Sequence, residues 1–359
     1  MKSGYTRLAV SLASAAVAAL VLTSCATSAP PADPGGKSAE PVDLTFVAYG
    51  GAGQDAMIAA WQEPYTALHP EVTFSNTSPA DVAQVKAQVM AGVPQWDLMS
   101  VAPFAAAQNC GTLFEPLDLS DLNPADFPEG AIGECYMNVF VNGPIFAYNK
   151  EAFPDEATAP KKLADFFDPS IPGKRGIVAT LQDGMLEYPL LADGVPADDL
   201  YPIDVDRAFK LWEPIRDETI FAENVGALQQ AIASKQVDMW LLVSSRQLAL
   251  LNDGVSLQPV WDRTLASFNS FAVPLGSPKK EAATEFLKFM VQPEQSAREA
   301  ELGGVGAINL KSKPKLSENG QKVDIYGPEN TGETIVQNIA WYAENYNDVQ
   351  PRLVAWLNG

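Results

Sequence analysis

The sequence predicts an α/β fold with two lobes. β-type runs alternate with segments whose apolar residues share one helical face, which is the pattern of a mostly parallel sheet covered by helices. The chain has 359 residues, enough for two lobes that each bury a core of their own. After Cys25 the sequence has no apolar run long enough to cross a membrane.

The first half of the chain shows the alternation most clearly. In order, we expect a strand at 44–48, a helix at 57–68, a strand at 72–74, a helix at 82–89 and a strand at 97–101. Pro64 falls inside the first helix and is expected to kink it, because proline lacks the backbone N–H that a helix interior needs. This order of elements is typical of a parallel sheet with covering helices.

Later segments continue the mixed pattern, and we find no internal repeat. They are an extended region at 137–148 that Gly143-Pro144 interrupts, strands at 177–181, 237–243 and 268–273, and helices at 205–215, 225–233, 279–290 and 335–357. The last helix alternates aromatic and apolar residues with acids, as helices on a protein surface do.

The first 24 residues predict export. Lys2 and Arg7 precede an apolar run at 8–22, the layout of a secretory signal peptide. The tetrapeptide Leu-Thr-Ser-Cys that ends at Cys25 resembles a bacterial lipobox, whose cysteine becomes the lipidated first residue of the mature protein. An ordinary signal peptide with a chance cysteine is the alternative. We therefore expect a protein held on the outer side of the bacterial cell membrane by a lipid, with residues 25–42 as a flexible tether.

The composition argues against nucleic-acid binding. The net charge is −20, and about −22 once the two basic residues of the signal segment are removed. No basic patch occurs, and arginines are not interleaved with aromatic residues. An acidic surface mainly favours solubility.

Cys110 and Cys135 are the cysteines that follow Cys25. An oxidising compartment favours a disulfide between them, which would close a loop of roughly 25 residues and contribute about 3.5 kcal/mol in the chain-entropy model. Two buried free thiols are the alternative.

Motifs for catalysis and for metal binding are missing. His69 is the single histidine, which excludes a histidine-based triad and a multi-histidine metal site within the chain. The glycine-containing stretch at 327–334 has Glu333 where a phosphate loop needs a lysine. We therefore expect a protein that binds no cofactor and no metal and is not an enzyme. A hydrolase that uses an acid pair in a cleft is the alternative.

Several short motifs run in order through nearly the whole chain after the tether. They are Tyr49-Gly50-Gly51 with Gln54-Asp55, Trp96-Asp97-Leu98, Ala147-Tyr148-Asn149, Asp165 to Asp168, Pro172 to Arg175, Leu191 to Val195, Asp204 to Phe209 and Trp341 to Leu357. In order and spacing they resemble the extracellular solute-binding proteins of ABC importers, and most closely the spermidine/putrescine-binding branch.

The resemblance implies a two-lobed periplasmic-binding-protein-like fold that closes on a solute. Residues 43–142 and 271–306 would form the first lobe, and residues 143–270 and 307–359 the second. The solute would lie in the cleft, at loops beyond the carboxyl ends of the strands. A monomer that hands the solute to a cognate ABC permease is the expected assembly. A surface module that kept the fold and lost the pocket is the alternative.

The resemblance also implies which residues face the solute. We expect Tyr49, Gly50, Gly51, Gln54, Ser100, Val101, Asp183, Glu187, Trp240, Ser244, Ser245, Arg246 and Asn269 to line the cleft. Plain alternatives exist: strand-end packing for the tyrosine, a tight turn for the glycines and a solvated helix start for the acids.

Two positions depart from the polyamine-binding pattern. Val243 stands where relatives carry an aromatic residue, and Asn269 stands where they carry an ammonium-binding aspartate. Arg246 would repel an amine if it faced the cleft, whereas a guanidinium beside serines and glycine amides suits a carboxylate or a phosphate. The expected solute is therefore small and polar, either polyamine-like or another charged metabolite.

Overall fold

Two separate β-sheets organise residues 40–359, the part of the chain that the computed structural model describes. The signal segment, Cys25 and most of the tether lie outside these residues. Within the described part, no helix combines the length and the apolar character that a membrane span requires.

The strands and helices follow one another in mixed order along the chain. The strands are β1 Val42–Val47, β2 Val72–Thr77, β3 Leu98–Val101, β4 Met137–Asn142, β5 Pro144–Asn149, β6 Arg175–Val178, β7 Thr219–Ala222, β8 Met239–Val243, β9 Leu257–Pro259, β10 Arg263–Ala272, β11 Gly306–Ala307 and β12 Glu333–Val336. The α-helices are α1 Gly51–Met57, α2 Glu63–Leu68, α3 Val82–Met90, α4 Pro103–Gln108, α5 Leu163–Phe167, α6 Glu187–Ala192, α7 Val205–Trp212, α8 Val225–Ala233, α9 Ser244–Asn252, α10 Lys280–Met290, α11 Pro293–Gly303, α12 Glu318–Lys322 and α13 Ile339–Leu357. Single turns of 3₁₀-helix lie at Pro124–Asp126 and Ala197–Asp199, and a longer one at Glu213–Glu218.

The first sheet has the order β11-β4-β10-β3-β1-β2, and β12 pairs with one end of β10. β1 runs parallel to β2 and β3, while β10 runs antiparallel to β3 and β4. The second sheet has the order β7-β6-β8-β5-β9, with β6 parallel to β7 and β8. Both sheets are mixed and carry helices, which confirms the predicted two-lobed α/β architecture.

A π-helical segment, Ile58–Gln62, joins α1 to α2 just before Pro64. The backbone N–H of Glu63 donates to the carbonyl of Ile58, five residues earlier. Such a turn accommodates the proline, because Pro64 has no N–H with which to continue the ordinary helical ladder. The irregular stretch stays buried through Trp61, whose ring packs near Phe140 and Phe271.

Two large apolar cores correspond to the two sheets. The first contains Phe46 and Phe271, and the second contains Phe146 and Trp212. Each ring is buried, and burying an aromatic or aliphatic side chain contributes roughly 1.5–3 kcal/mol. Two independent cores allow two rigid lobes.

The chain crosses between the sheets twice. β4 and β5 are separated by Gly143 alone, so the chain passes from one sheet to the other within one residue. β10 pairs with β4 from Ser267 onward, so the chain returns to the first sheet a few residues before position 271, where the sequence had placed the boundary.

The C-terminal part divides between the two cores. Ile308, Val323 and Ile325 pack into the first core, although the sequence assigned them to the second lobe. Tyr342 and Leu353 of α13 pack into the second core, as expected for the tail.

The predicted disulfide is present. Cys110 and Cys135 are bonded, with their Cα atoms 5.4 Å apart. The bond joins the chain after α4 to the segment that leads into β4, on the first lobe.

Candidate functional site

A cavity of about 790 Å³ lies between the two lobes. Its lining includes residues that follow β1, β3, β6 and β8, together with residues of α9 and α11. The carboxyl ends of parallel strands carry backbone groups that no further strand pairs, which is why open α/β sheets bind ligands at this edge. Most of the residues that the sequence proposed as site residues fall here: Tyr49, Gly50, Gln54, Ser100, Val101, Asp183, Ser245, Arg246 and Asn269.

The loop after β1 is held in a tight left-handed turn. Gly50 and Gly51 have φ angles of 76° and 62°, a region that residues with a Cβ rarely adopt. The N–H of Gly50 donates to Oε1 of Gln54 (2.9 Å), and Nε2 of Gln54 donates to the carbonyl of Thr77 (3.2 Å). These bonds fix the turn, so that Tyr49 stands at the mouth of the cleft with 46% of its surface exposed.

Arg246 belongs to the second lobe and reaches toward this turn. A Cβ placed on Gly51 would lie 3.9 Å from Nη1 of Arg246. The first turn of α9 is anchored by Gln247, whose Nε2 donates to the carbonyls of Ile145 (2.7 Å) and Leu242 (2.8 Å). This anchoring aims the preceding residue, Arg246, into the cleft.

The guanidinium of Arg246 is half-buried and unpaired. Within residues 40–359 it makes no ion pair and no hydrogen bond, unlike Arg207, Arg216 and Arg352, which pair with carboxylates. Burial lowers the pKa of Arg246, and no neighbouring charge opposes that shift. An arginine stays charged in proteins, so the cleft holds a cation without a protein counter-ion.

Asp183 supplies a carboxyl group on the same lobe. It follows β6 and exposes only 8% of its surface, and Oγ1 of Thr180 donates to its Oδ2 at 2.5 Å. Burial raises the pKa of Asp183 to about 6, against the effect of the Thr180 hydrogen bond. Asp183 is therefore ionised near neutral pH but at a cost in free energy.

Tyr49 lies close enough to Asp183 to be affected by its charge. Although the ring is partly exposed, the Tyr49 hydroxyl lies in the cleft, where burial raises its pKa. A hydrogen bond with Ser100 opposes that shift, and the charge of Asp183 adds to it. An aromatic face and a carboxylate thus stand near each other, an arrangement that attracts an ammonium group.

Amide and hydroxyl side chains connect the lobes at the base of the cleft. Ser244 Oγ donates to Oδ1 of Asn142 (2.9 Å), and Nδ2 of Asn142 donates to Oγ of Ser245 (3.4 Å). Nε2 of Gln182 donates across to the carbonyl of Phe268 (3.2 Å), and within the first sheet Asn269 accepts from Oγ of Ser100 (2.8 Å). These bonds set the spacing of the two walls.

Four of the residues that the sequence singled out lie outside the lining. Trp240 is fully buried in an apolar cluster of the second lobe, because it sits inside β8 while Val243, at the strand end, reaches the cleft. Glu187 is fully buried and its Oε1 accepts from Tyr201 (2.8 Å), Gln337 (3.0 Å) and Tyr342 (2.8 Å). Ser244 faces the crossing segment, and Gly51 lies beside the cavity.

Other lining residues were missed by the sequence. Glu223 and Asn224 come directly after β7, so the strand-end rule would have found them. Tyr346 lies on α13 and Glu299 lies on α11. The sequence does not show which face of either helix is turned toward the cleft. The part of the chain that is described contains no cluster of three or more side chains suited to a metal ion.

Comparisons with known proteins agree with this geometry. The family model for bacterial extracellular solute-binding proteins matches residues 56–323. The γ-aminobutyric acid-binding protein of Pseudomonas aeruginosa is 29% identical over 329 residues, which cover 89% of this chain and 92% of that protein.

Solved structures give the same result. A γ-aminobutyric acid (GABA) receptor is 29% identical, with a TM-score of 0.79 over 88% of this chain and 97% of the receptor. The binding protein AgtB from A. tumefaciens R10, in complex with agropinic acid, is 29% identical, with a TM-score of 0.78 over 88% of this chain and 99% of AgtB.

Proposed function

Because the chain belongs to the bacterial extracellular solute-binding protein family, we propose that it captures a small solute between its lobes and delivers it to the permease of an ABC importer. Its two cores and the cavity between them suit a protein that closes on a ligand. Contacts made with both lobes at once exist only in the closed state, so a solute that makes them shifts the population toward closure.

The solute that fits this cleft carries a carboxylate. The observation that carries this proposal is the unpaired guanidinium of Arg246, which faces the cavity beside Ser245 and the backbone of the Gly50-Gly51 turn. A guanidinium binds a carboxylate with two parallel charge-assisted hydrogen bonds. Two of the relatives are named for γ-aminobutyric acid and agropinic acid, and both names describe carboxylic acids.

An amino group on the same solute has a place at Asp183 and Tyr49. The carboxylate of Asp183 would pair with an ammonium, and the ring of Tyr49 would attract it by about 0.5–2 kcal/mol. We therefore propose an amino acid whose amine and carboxylate are separated, with GABA as its simplest example.

Polyamines fit less well. Spermidine and putrescine have no carboxylate for Arg246, and their ammonium groups would be repelled by it. Asn269 stands where the polyamine pattern has an aspartate. Its side chain is neutral and accepts a hydrogen bond from Ser100. The expected spermidine/putrescine specificity is therefore not part of the proposal.

The place of action is the outer side of the cell membrane. We propose that Cys25 carries the lipid, that the residues after it form a tether, and that the folded part is a monomer without catalytic activity. Replacing Cys25 by Ser should release the protein from membranes, and mass spectrometry of the purified wild type should show a lipid-modified N-terminal cysteine.

A thermal-shift screen tests the solute class. The panel is GABA, longer ω-amino acids, butyrate, putrescine, spermidine and sugars, applied to the wild type and to Arg246→Ala. A solute at 100 times its Kd should add about 2.7 kcal/mol to the free energy of unfolding. We expect amino acids to stabilise the wild type and to lose this effect in Arg246→Ala.

The matched control is Arg298→Ala, which removes an exposed arginine from α11. It should respond to every solute as the wild type does. Stabilisation of the wild type by polyamines alone would refute the carboxylate proposal.

A further inference from the structure

Helix α11 places an unpaired acid in the wall of the cleft. Glu299 exposes only 2% of its surface, yet it is one of the residues that line the cavity. It comes from the first lobe, on the helix that packs against α1 and the π-helical segment. Asp183 and Arg246 come from the second lobe, so the charged groups of the cleft come from both lobes.

The carboxyl group of Glu299 has no partner in the protein. Its Oε2 makes no hydrogen bond within residues 40–359, and burial alone raises the pKa of Glu299 well above its usual range. Glu187, which is equally buried and does not line the cavity, also has an unpaired Oε2, but its Oε1 accepts three hydrogen bonds. Buried polar groups are nearly always paired, so an unpaired one that faces a cavity indicates a ligand contact.

Gly303 makes room for this carboxyl group. A Cβ at Gly303 would lie 2.7 Å from Oε1 of Glu299, closer than real side chains approach. Gly303 also lines the cavity, one helical turn beyond Glu299. The missing side chain at Gly303 thus lets the carboxyl group lie against the helix, in the wall of the cleft.

We propose that Glu299 receives a second amino group of the solute, so that the preferred ligand is a carboxylic acid with two amines. This inference rests on the proposed function, because it assumes a solute whose carboxylate binds Arg246 and whose first amine binds Asp183. An ammonium group donates up to three hydrogen bonds and favours the ionised form of a nearby carboxyl group. Burying a cation in a cleft costs free energy unless a group of opposite charge pairs with it there.

Ornithine and its two single-amine analogues form the matched probe set. 2-Aminopentanoic acid lacks the terminal amine, and 5-aminopentanoic acid lacks the amine beside the carboxylate. Calorimetric titration of the wild type should show ornithine binding at least about tenfold more tightly than either analogue, as expected for one added charge-assisted hydrogen bond. In Glu299→Gln the preference over one analogue, the one that lacks the amine received by Glu299, should fall to about threefold or less, while the preference over the other analogue should remain.

Two further variants separate a binding role from a folding role. Glu294→Gln makes the same change at an exposed position of α11 and should keep the full preference for ornithine. Glu299→Met replaces the unpaired carboxyl group with an apolar side chain of similar length. It should unfold at a higher temperature than the wild type and should also lose the preference.

Each result decides the proposal. A preference over both analogues that survives in Glu299→Gln, or a wild type without a preference for ornithine, overturns it. If no carboxylic acid binds but putrescine does, and Glu299→Gln weakens putrescine at least about tenfold, then Glu299 keeps its role and the carboxylate proposal fails. If none of these probes binds the wild type, both proposals fail.

Discussion

The interior of the second lobe and the cleft between the lobes each bury an arginine, and they treat it differently. Arg175 exposes 2% of its surface. Its guanidinium donates to the carbonyls of Phe166 (3.1 Å), Gly173 (2.6 Å), Asp168 (2.7 Å) and Ile171 (2.8 Å). Arg246 has no acceptor among the described residues. A guanidinium satisfied by the protein stabilises a loop, whereas one without a partner is available to a ligand.

The carboxyl groups show the same contrast. Glu187 ties α6 to Gln337 and α13 through three donors, while Glu299 and Asp183 face the cleft with one donor or none. Charge and burial alone do not separate these groups, since the three acids are all buried and both arginines are at least half-buried. The number of protein partners separates them, and it assigns Arg175 and Glu187 to the fold and the others to the solute.

The largest effect should come from Arg175→Ala. The change leaves four carbonyls without their donor, and each unpaired buried group costs about 1–3 kcal/mol. Allowing for relaxation, we expect the free energy of unfolding to fall by about 4 kcal/mol in urea titrations. Arg298→Ala is the control and should fall by less than about 0.5 kcal/mol. A comparable loss in both variants would remove the structural role assigned to Arg175.

Arg246→Ala should weaken solute binding and leave the free energy of unfolding nearly unchanged, in contrast to Arg175→Ala. Binding of the amino-acid solute should weaken by about 2–5 kcal/mol, measured by calorimetry, because a desolvated charge pair is lost. The free energy of unfolding without solute should change by less than about 1 kcal/mol, since no protein group loses a partner. Arg246→Lys keeps the charge and should recover only part of the affinity, because lysine cannot form the bidentate contact. Unchanged affinity in Arg246→Ala would place this residue outside the site.

Asp183→Asn should have a pH-dependent effect on stability. Burial raises the pKa of Asp183 from 3.8 to about 6, so the folded state holds the proton more tightly than the unfolded state. The cost of the ionised form is absent below pH 3.8 and fully present above pH 6. Without solute, the variant should be more stable than the wild type by up to about 3 kcal/mol at pH 7.5, and equal to it near pH 4.

The same titration should affect binding. As the pH falls below 6, protonation of Asp183 removes the partner of the solute's ammonium, and the affinity of the wild type should drop. Asp183→Asn should bind weakly at every pH. A stability difference that does not depend on pH, or an affinity that rises on acidification, would contradict this assignment.

The smallest effect should come from Glu187→Gln. The glutamine keeps an oxygen that can accept from Tyr201, Gln337 and Tyr342, so we expect the free energy of unfolding to change by no more than about 1 kcal/mol. Solute affinity should stay at the wild-type value, because Glu187 does not line the cavity. An affinity loss similar to that of Asp183→Asn would return Glu187 to the site that the sequence had proposed for it.

The sequence was sufficient where a local pattern carries the information. Strands and helices follow from apolar periodicity, Arg246 could be found because it lies three residues beyond the end of β8, and Asp183 could be found from the family resemblance. Trp240 could not be separated from Val243 in advance, since the position at which β8 ends is a matter of tertiary pairing. The residue at which β10 changes its pairing partner is a matter of tertiary pairing as well, because one strand serves two neighbours in turn.

Glu299 could not be identified as a site residue from the sequence. The sequence predicts no helix around Glu299, and nothing in the spacing of acids there marks one of them as buried. Its role depends on how α11 docks against α1 and on the missing side chain at Gly303, and both are visible only in three dimensions.

A crystal structure with the most stabilising solute of the screen tests the central claim most directly. We expect the solute to lie between the lobes, with its carboxylate in hydrogen-bonding distance of the Arg246 guanidinium and an amine in hydrogen-bonding distance of Asp183. A solute bound in the cleft with Arg246 turned away from it, or bound outside the cleft, would contradict the claim that unpaired charges mark the binding site.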